Sequence, residues 1–542
     1  MTSKKILHKN YTTNGTLYQL KLPLNIEYVI PEDDSVRLLS HFVEELDLSD
    51  LYETYSRIRE NQATPTQLLK LVIYGYMNNI YSSRPLERAC QRDINFMFLL
   101  EGKSAPDHTT LSRFKTLHFA PVSKSIMAKV TDFLYDLGEI SGEAIFIDGT
   151  KLEANANKYT FVWKKAVKRH MARKLQQAAD FVATCEELFG INLIYSNEVR
   201  IKHLKQLRKK LYVIKKVEKI EFVHGPGRRK TPLQKAIEVV EHYLDKIKEY
   251  TKKLYISGSR NSYSKTDQDA TFMRMKEDAM KNGQLKPAYN LQHGVDAEYI
   301  TWVTVGPQPT DTTTLKPFLK EMEEHLNFKY KKIVADAGYE SEENYGFIEK
   351  NGQIAFIKPA NYEISKKRKY KNDISRVENM DYEKDTDTYI CKNGKRLEVT
   401  GTINRKSRTG YQMVKTQYQC EDCKDCNYKA QCIKGRNCKT PLEERTKRLE
   451  ISKEFMRYRK EDLVRIVSDE GIELRINRSI QAEGSFAQIK QDMGFRRYLT
   501  RGTQNVLAES IFLALGNNMN KLHRKIQNGR LGKYIHSVKK SA

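Results

Sequence analysis

The sequence predicts an α/β protein built in several parts, and three observations predict it. Two short apolar runs, Ala144-Ile-Phe-Ile147 before Asp148 and Lys332-Ile-Val-Ala335 before Asp336, read as buried strands. Around and between them lie long stretches with apolar residues at helical spacing. The length, 542 residues, allows roughly three to five domains, and 39% hydrophobic with 10% aromatic residues can fill several cores. Wholesale disorder is thereby excluded. The formal net charge of +26 points to a polyanionic partner. Residues Met1 to Asn10 carry Lys4 and Lys5 with no apolar run after them, and no stretch of 18 or more apolar residues occurs. Neither a secretory signal nor a membrane span is expected.

Residues 1 to about 140 read as helical. Thr64-Pro65-Thr66-Gln67 is a capping box with proline at the first helical position, opening the apolar run Leu68 to Met77. A second helix is predicted from Ser83-Arg-Pro85 to near Gly102. After the turn Lys103-Ser-Ala-Pro106, Asp107 can cap a short helix in which Leu111, Phe114 and Leu117 face inward. Thr109, Thr110, Ser112, Arg113 and Thr116 then face outward, suited to phosphates and base edges. Helix, turn and short polar-faced helix resemble a helix-turn-helix, an arrangement equally found in bundles that never touch DNA.

The strand Ala144–Ile147 is closed by Asp148-Gly149-Thr150. Beyond Trp163 the chain turns helical and basic: Ile201 to Arg260 holds 17 Lys/Arg against 6 Asp/Glu, broken by Gly225-Pro-Gly227-Arg228-Arg229-Lys230. Such an excess suits a surface that tracks the DNA backbone, the alternative being a solvated helical face. Strands are predicted at Ala288–Gln292 and Tyr299–Val305, a helix at Thr314–Leu326, the strand ending at Asp336-Ala-Gly338-Tyr339, and a strand at Gln353–Ile357. The last helices, Ser479–Met493 and Asn505–Lys521, are amphipathic.

Eight cysteines are sparse, yet Cys420, Cys423, Cys426, Cys432 and Cys438 fall within nineteen positions. Overlapping C-x2-C pairs can grip a tetrahedral Zn2+, and Cys391 after Asp387–Ile390 could complete the ligand set. Reduced, unliganded thiols are the alternative.

Asp148 and Asp336 each stand at the carboxyl end of an apolar strand. Adjacent strands lie about 4.8 Å apart, so the two can bracket divalent ions, and Mg2+ suits one or two carboxylates completed by water and phosphate. Each could instead merely cap the next element. A third carboxylate, Glu483, is followed at +7 by Lys490, and seven residues of α-helix fall short of two full turns by only about 20°. Glu483 and Lys490 are thus expected to line one cleft.

Asp148-Gly-Thr150, Ala335-Asp-Ala-Gly-Tyr339 and Glu483-x6-Lys490, followed by Phe495-Arg-Arg-Tyr498 and Arg501-Gly502, resemble the DDE transposases of bacterial insertion sequences, specifically the family numbered eleven eighty-two. Ile147 to Trp163 is similar to that family's first-Asp block, and Thr271 to Asp278 to another. The resemblance covers nearly the whole chain. It implies an RNase-H-like α/β catalytic core, a mixed sheet with flanking helices, preceded by a helical N-terminal domain and interrupted by two insertions, one helical and basic, one β-rich with clustered cysteines. The expected parts are 1–140, a DNA-binding domain; 141–165, 285–360 and 471–542, the core; 166–284, the basic insertion; and 361–470, the cysteine-containing insertion.

By matching position Asp148, Asp336 and Glu483 would bind two Mg2+ ions, with Mn2+ as substitute. Lys490, Arg496, Arg497 and Arg501 would hold phosphates, and Tyr159 or Trp163 would stack on an unpaired base. Arg113, Arg228 and Arg229 are further candidate DNA contacts. Arg478 stands five residues before Glu483, where the broader relatives have their arginine four before. The implied protein recognises terminal inverted repeats, cleaves and joins them to target DNA as a homodimer on DNA, without membrane attachment, in the bacterial cytoplasm near the nucleoid. The rivals are a noncatalytic DNA-binding descendant and an RNase-H-like nuclease that cuts without joining.

Overall fold

The structure is a computed structural model, and it describes residues 30–58, 60–193, 199–275, 283–435, 438 and 440–537. Lys4, Lys5 and the 276–278 end of the second similar block lie outside the described residues. Within the N-terminal helices the capping box forms as expected. Thr64 Oγ1 accepts from the Gln67 backbone N–H at 3.2 Å and Gln67 Oε1 accepts from that of Thr64 at 2.9 Å, opening the helix Pro65–Met77. The single helix expected from Ser83 to Gly102 is two, Ser83–Arg92 and Ile94–Leu100. Asp93 is extended between them, and its carboxylate accepts from the Asn95 N–H, so it caps the second helix instead of continuing the first.

Asp107 caps His108–Arg113 as expected. The next turn, Phe114–Phe119, widens into a π-helix. Leu111 and Phe114 remain fully buried, while Leu117, expected inside, is 61% exposed because the wider turn carries it off the apolar stripe.

The central sheet contains β1 (Ala144–Glu153), β4 (Thr271–Arg274), β5 (Leu285–Asp296), β6 (Tyr299–Gly306), β7 (Lys332–Ala335) and β8 (Ile354–Ile357), while β2 (Phe161–Trp163) and β3 (Ser262–Ser264) form a separate antiparallel pair. In order the sheet runs β4-β5-β1-β7-β8, with β6 also on β5. β5 is antiparallel to β1 and β6; β7 is parallel to both β1 and β8.

The helix Thr503–Gln527 packs between β6 and the helices Pro65–Met77 and Ala120–Asp136. Gly516 makes that approach possible, since a Cβ there would lie 3.0 Å from Tyr76 Cβ and 3.1 Å from the Met77 nitrogen. Asn518 spans to β6, accepting from the Ile300 N–H at 2.8 Å and donating to its carbonyl at 2.7 Å. N-terminal helices, central sheet and last helix share one hydrophobic core.

Two other segments have cores of their own. Lys164–Phe189, Ile201–Val217 and Pro232–Ser257 pack around Val182, Leu207, Leu211, Ile237 and Val240. The cysteine-bearing segment is a five-stranded antiparallel sheet, β9 (Asp381–Glu383), β10 (Thr388–Ile390), β11 (Arg396–Lys406), β12 (Gln412–Cys420) and β13 (Arg448–Ile451), around Leu397, Tyr418 and Ile451.

Candidate active site

β1 does not stop at Asp148 as its sequence suggests. β5 supplies a partner along Phe146–Glu153, whereas pairing with β7 ends at Ile147 opposite Ala335. Asp148 and Asp336 are therefore the next residues on two adjacent parallel strands, at the point where the strands part. Asp336 starts the short 3-10 turn Ala337–Tyr339.

Gly149 is required by its neighbours. A Cβ there would meet Gln292 Nε2 at 2.3 Å and Asp311 Oδ1 at 2.9 Å. Asp311 is a fourth carboxylate, absent from the sequence-based expectation; it follows β6 in a polar run and carries no strand-end signature. Asn290 Nδ2 and Gln292 Nε2 donate to its Oδ1 at 2.7 and 3.0 Å. The Tyr339 hydroxyl donates to Gln292 Oε1. Complete burial holds that phenol protonated, with Asp311, Asp148 and Asp336 adding to the effect and Arg478 opposing it.

The third expected carboxylate arrives on an irregular helix. Instead of one α-helix from Ser479 to Met493, the chain forms a π-turn Ser479–Glu483, an α-turn Gly484–Ala487 and a second π-turn Gln488–Asp492. The expected α-helical angle between Glu483 and Lys490 consequently does not apply. Phe486, Ile489 and Met493 are buried in the core. Arg478 Nη2 donates to Glu483 Oε1 at 2.8 Å, and its Nη1 lies 3.9 Å from Asp148 Oδ2. Lys490 Nζ donates to Thr150 Oγ1 at 2.8 Å, two residues along β1 from Asp148 and thus on the same strand face.

The other expected cations divide. Arg497 donates to the Ala154 and Ala156 carbonyls, both at 3.3 Å, and Arg501 to that of Asn155 at 2.8 Å. These two pin the loop after β1. Arg496 is exposed, its Nε 3.5 Å from the Lys490 carbonyl. Trp163 is half-buried against Phe161, while Tyr159 is 73% exposed with the Lys158 ammonium over its ring. Arg113, Arg228 and Arg229 are exposed on other elements, the last two in the turn before Pro232–Ser257.

Asp148, Asp336 and Glu483 offer hard oxygen donors of the kind a divalent cation takes. As arranged, however, Glu483 is turned onto Arg478, and no group of three His, Cys, Asp or Glu side chains among the described residues is disposed to hold a metal. The thiols follow suit. Cys391, Cys420, Cys423, Cys426 and Cys432 line one cavity of about 20 Å3, with the Lys447 N–H donating to Cys423 Sγ. Cys438 is exposed and stands apart from it. Burial pushes the Cys420 thiol up to about 12, and Cys423 beside it adds to the shift. Five soft donors thus share a cavity without a zinc-holding arrangement, and no zinc chemistry is assigned to them.

Residues 390–523 match the family described as Transposase DDE domain, and residues 24–117 match Transposase domain (DUF772). The first match contains Glu483 and Lys490 and the second the N-terminal helices as far as His108–Arg113; Asp148 and Asp336 lie outside both. Together the matches indicate a transposase family of the DDE type. No curated protein and no solved structure matches the chain.

Proposed function

We propose that this protein is a DNA transposase that binds the terminal inverted repeats of an insertion sequence, cleaves there and transfers the strand to target DNA. The observation that carries the reading is that Asp148 and Asp336 follow the last paired residues of the parallel strands β1 and β7, with Arg478 reaching from Asp148 to Glu483. Strand order supports an RNase-H-like core: β6, β5 and β1 antiparallel, then β1, β7 and β8 parallel. In this reading Asp148, Asp336 and Glu483 would hold the Mg2+ or Mn2+ ions. Bound there, such ions activate the attacking oxygen and stabilise the leaving one in phosphodiester transfer.

The chain's own residues do the rest. Gly149 lets Gln292 and Asp311 come close to β1, and Asp311, Asn290, Gln292 and Tyr339 form a hydrogen-bonded network of side chains there. Lys490 presents an ammonium on the Asp148 face, where a scissile phosphate would need a counter-charge. The exposed basic helices provide a surface for flanking DNA, and two chains are needed to bring two ends together.

The test is cleavage and joining of a labelled duplex bearing the element's end, with Mg2+ and with Mn2+, by wild type, Asp148→Asn, Asp336→Asn and Glu483→Gln. Joined product from wild type, lost by at least about a thousandfold in each variant while DNA binding persists, is expected. Binding without cleavage by wild type would favour the noncatalytic descendant, and cutting without joining the nuclease.

A further inference from the structure

A cavity of about 770 Å3 opens between the five-stranded sheet and the helix Lys453–Val467, and none of Asp148, Asp336, Glu483 or Lys490 lines it. Cavities of about 300–1,000 Å3 are the size that encloses an organic ligand. The helix is oriented by its far side. Buried Asp462 accepts from the Ile357 N–H and the Tyr345 hydroxyl, both at 3.2 Å, and Arg459 donates to Glu340 at 2.7 and 2.9 Å. Met456, Lys460 and Leu463, one helical stripe, are left on the cavity. The sheet contributes Tyr382 on β9, Tyr389 on β10 and Tyr418 on β12. Their rings form a row: Tyr382 and Tyr389 have centroids 4.7 Å apart, and Tyr389 meets Tyr418 edge-on at 5.0 Å. The Tyr382 and Tyr418 hydroxyls both donate to Asp387 Oδ1, at 2.9 and 2.8 Å, which fixes the two rings. Tyr418 is buried and Tyr382 is 43% exposed, so the row ends in an open ring. Charge around the rings is one-sided, with six Lys or Arg side chains against one carboxylate, Glu378. Lys453, Arg457 and Arg459 are engaged by Asp387, Glu349 and Glu340. Lys371, Lys384 and Lys460 are exposed and form no ion pair among the described residues.

We propose that this cavity binds unpaired nucleotides of a DNA strand, with a base on the Tyr382 and Tyr389 rings and backbone phosphates on Lys371, Lys384 and Lys460. Aromatic rings accept the face of any base, and unengaged ammonium groups follow the phosphates; single-stranded nucleic acid is held by that combination. A duplex keeps its base faces inside its own stack and leaves the rings without a partner. An acidic peptide meets the ammonium groups but brings no flat face to the rings. Binding an unpaired strand uses none of Asp148, Asp336 or Glu483, so the inference stands whatever reaction those residues perform.

The experiment is fluorescence anisotropy of labelled probes on the full chain: a thymidine strand of about ten nucleotides, an abasic strand of equal length and the matching duplex. Wild type is compared with Tyr382→Ala, Tyr382→Phe and the combined Lys371→Ala, Lys384→Ala and Lys460→Ala. Wild type should bind the thymidine strand about tenfold more tightly than the abasic one, the size of one base stacked on one ring. Tyr382→Ala should lose that preference with duplex affinity unchanged, and Tyr382→Phe should keep it. The combined lysine variant should lessen the slope of log affinity against log salt by about 0.7 for each strand phosphate no longer neutralised. No preference for bases in wild type, a preference kept in Tyr382→Ala, or an unchanged slope in the lysine variant would overturn the proposal. So would displacement of the strand by thymidine monophosphate at equal nucleotide concentration, which assigns the cavity to a free nucleotide, or by polyglutamate at equal charge, which makes it a site for any polyanion. If Tyr382→Ala does not fold, photocrosslinking of a 4-thiothymidine strand to wild type supplies the measurement. Adducts on peptides containing Tyr382 or Tyr389 are expected, and adducts exclusively elsewhere overturn the assignment. None of these readouts depends on cleavage, so the transposition reading stands or falls separately.

Discussion

A single imidazole behind the candidate site illustrates how burial sets the protonation of one residue. His293 on β5 is fully buried, stacked on Phe486 at 4.3 Å, with Nδ1 3.1 Å from Ser485 Oγ. Burial pushes its pKa down to about 3. The unfolded chain, with an ordinary imidazole near 6.5, binds the proton more readily. His293 therefore contributes stability fully above about pH 6.5, and this is lost as pH falls toward 3, by about 1.4 kcal/mol per unit. Asp296 and Asp462, raised by burial to about 6 and about 7, act with the opposite sign, losing stability as pH rises toward those values. The imidazole is isolated by comparing wild type with His293→Asn. The stability difference between them should shift by about 1 kcal/mol between pH 6.5 and 5.5 in favour of the variant. A difference independent of pH would mean that the buried ring is not held neutral.

Elements meet at the end of the irregular helix. The turn after Pro65–Met77 reaches across the molecule: Tyr81 OH donates to the Met493 carbonyl at 2.5 Å and Asn79 Nδ2 to that of Asp492 at 3.4 Å. These carbonyls lie at the end of the second π-turn, so they are among those a helix end leaves without intrahelical partners. Tyr81 also packs edge-on against Phe495 at 5.1 Å. The N-terminal helices thereby brace the segment that carries Glu483 and Lys490. Tyr81→Phe keeps the ring and removes the donor; it should lower stability by about 1 kcal/mol, read as a drop in melting temperature of a few degrees. Strand joining should fall more than DNA binding, and equal falls in both would assign Tyr81 to general stability alone.

Across the molecule as a whole, charge is segregated. The helices from Ile201 to Ser257 form a layer with its own core and carry much of the excess of cations. Several pair internally, as Lys230 with Glu238 and Lys253 with Glu249, but Arg228 and Arg229 are exposed in the connecting turn. Neutralising Arg228, Arg229, Lys209 and Lys216 together should lessen the slope of log affinity against log salt by about 0.9 for each phosphate that the protein no longer neutralises. An unchanged slope would make this layer a solvated face. No helix among the described residues is long and apolar enough to cross a membrane.

Elements whose signals are local can be read from the amino-acid order alone. The Thr64 capping box, the Asp107 cap and the strand Lys332–Ala335 follow from neighbours within a few residues, and the structure has each of them. That Asp148 and Asp336 follow apolar strand residues was legible in the same way. What depends on partners far along the chain emerges only once the chain is folded. β1 runs past Asp148 because β5, well over a hundred residues later, pairs with it. Asp311 lies beside Gly149 because Asn290 and Gln292, on β5, donate to its carboxylate. Arg478 faces Glu483 because the helix widens into π-turns where its backbone packs against β1 and β5. Helical angle is a local property only while the helix stays regular, and here long-range packing sets it.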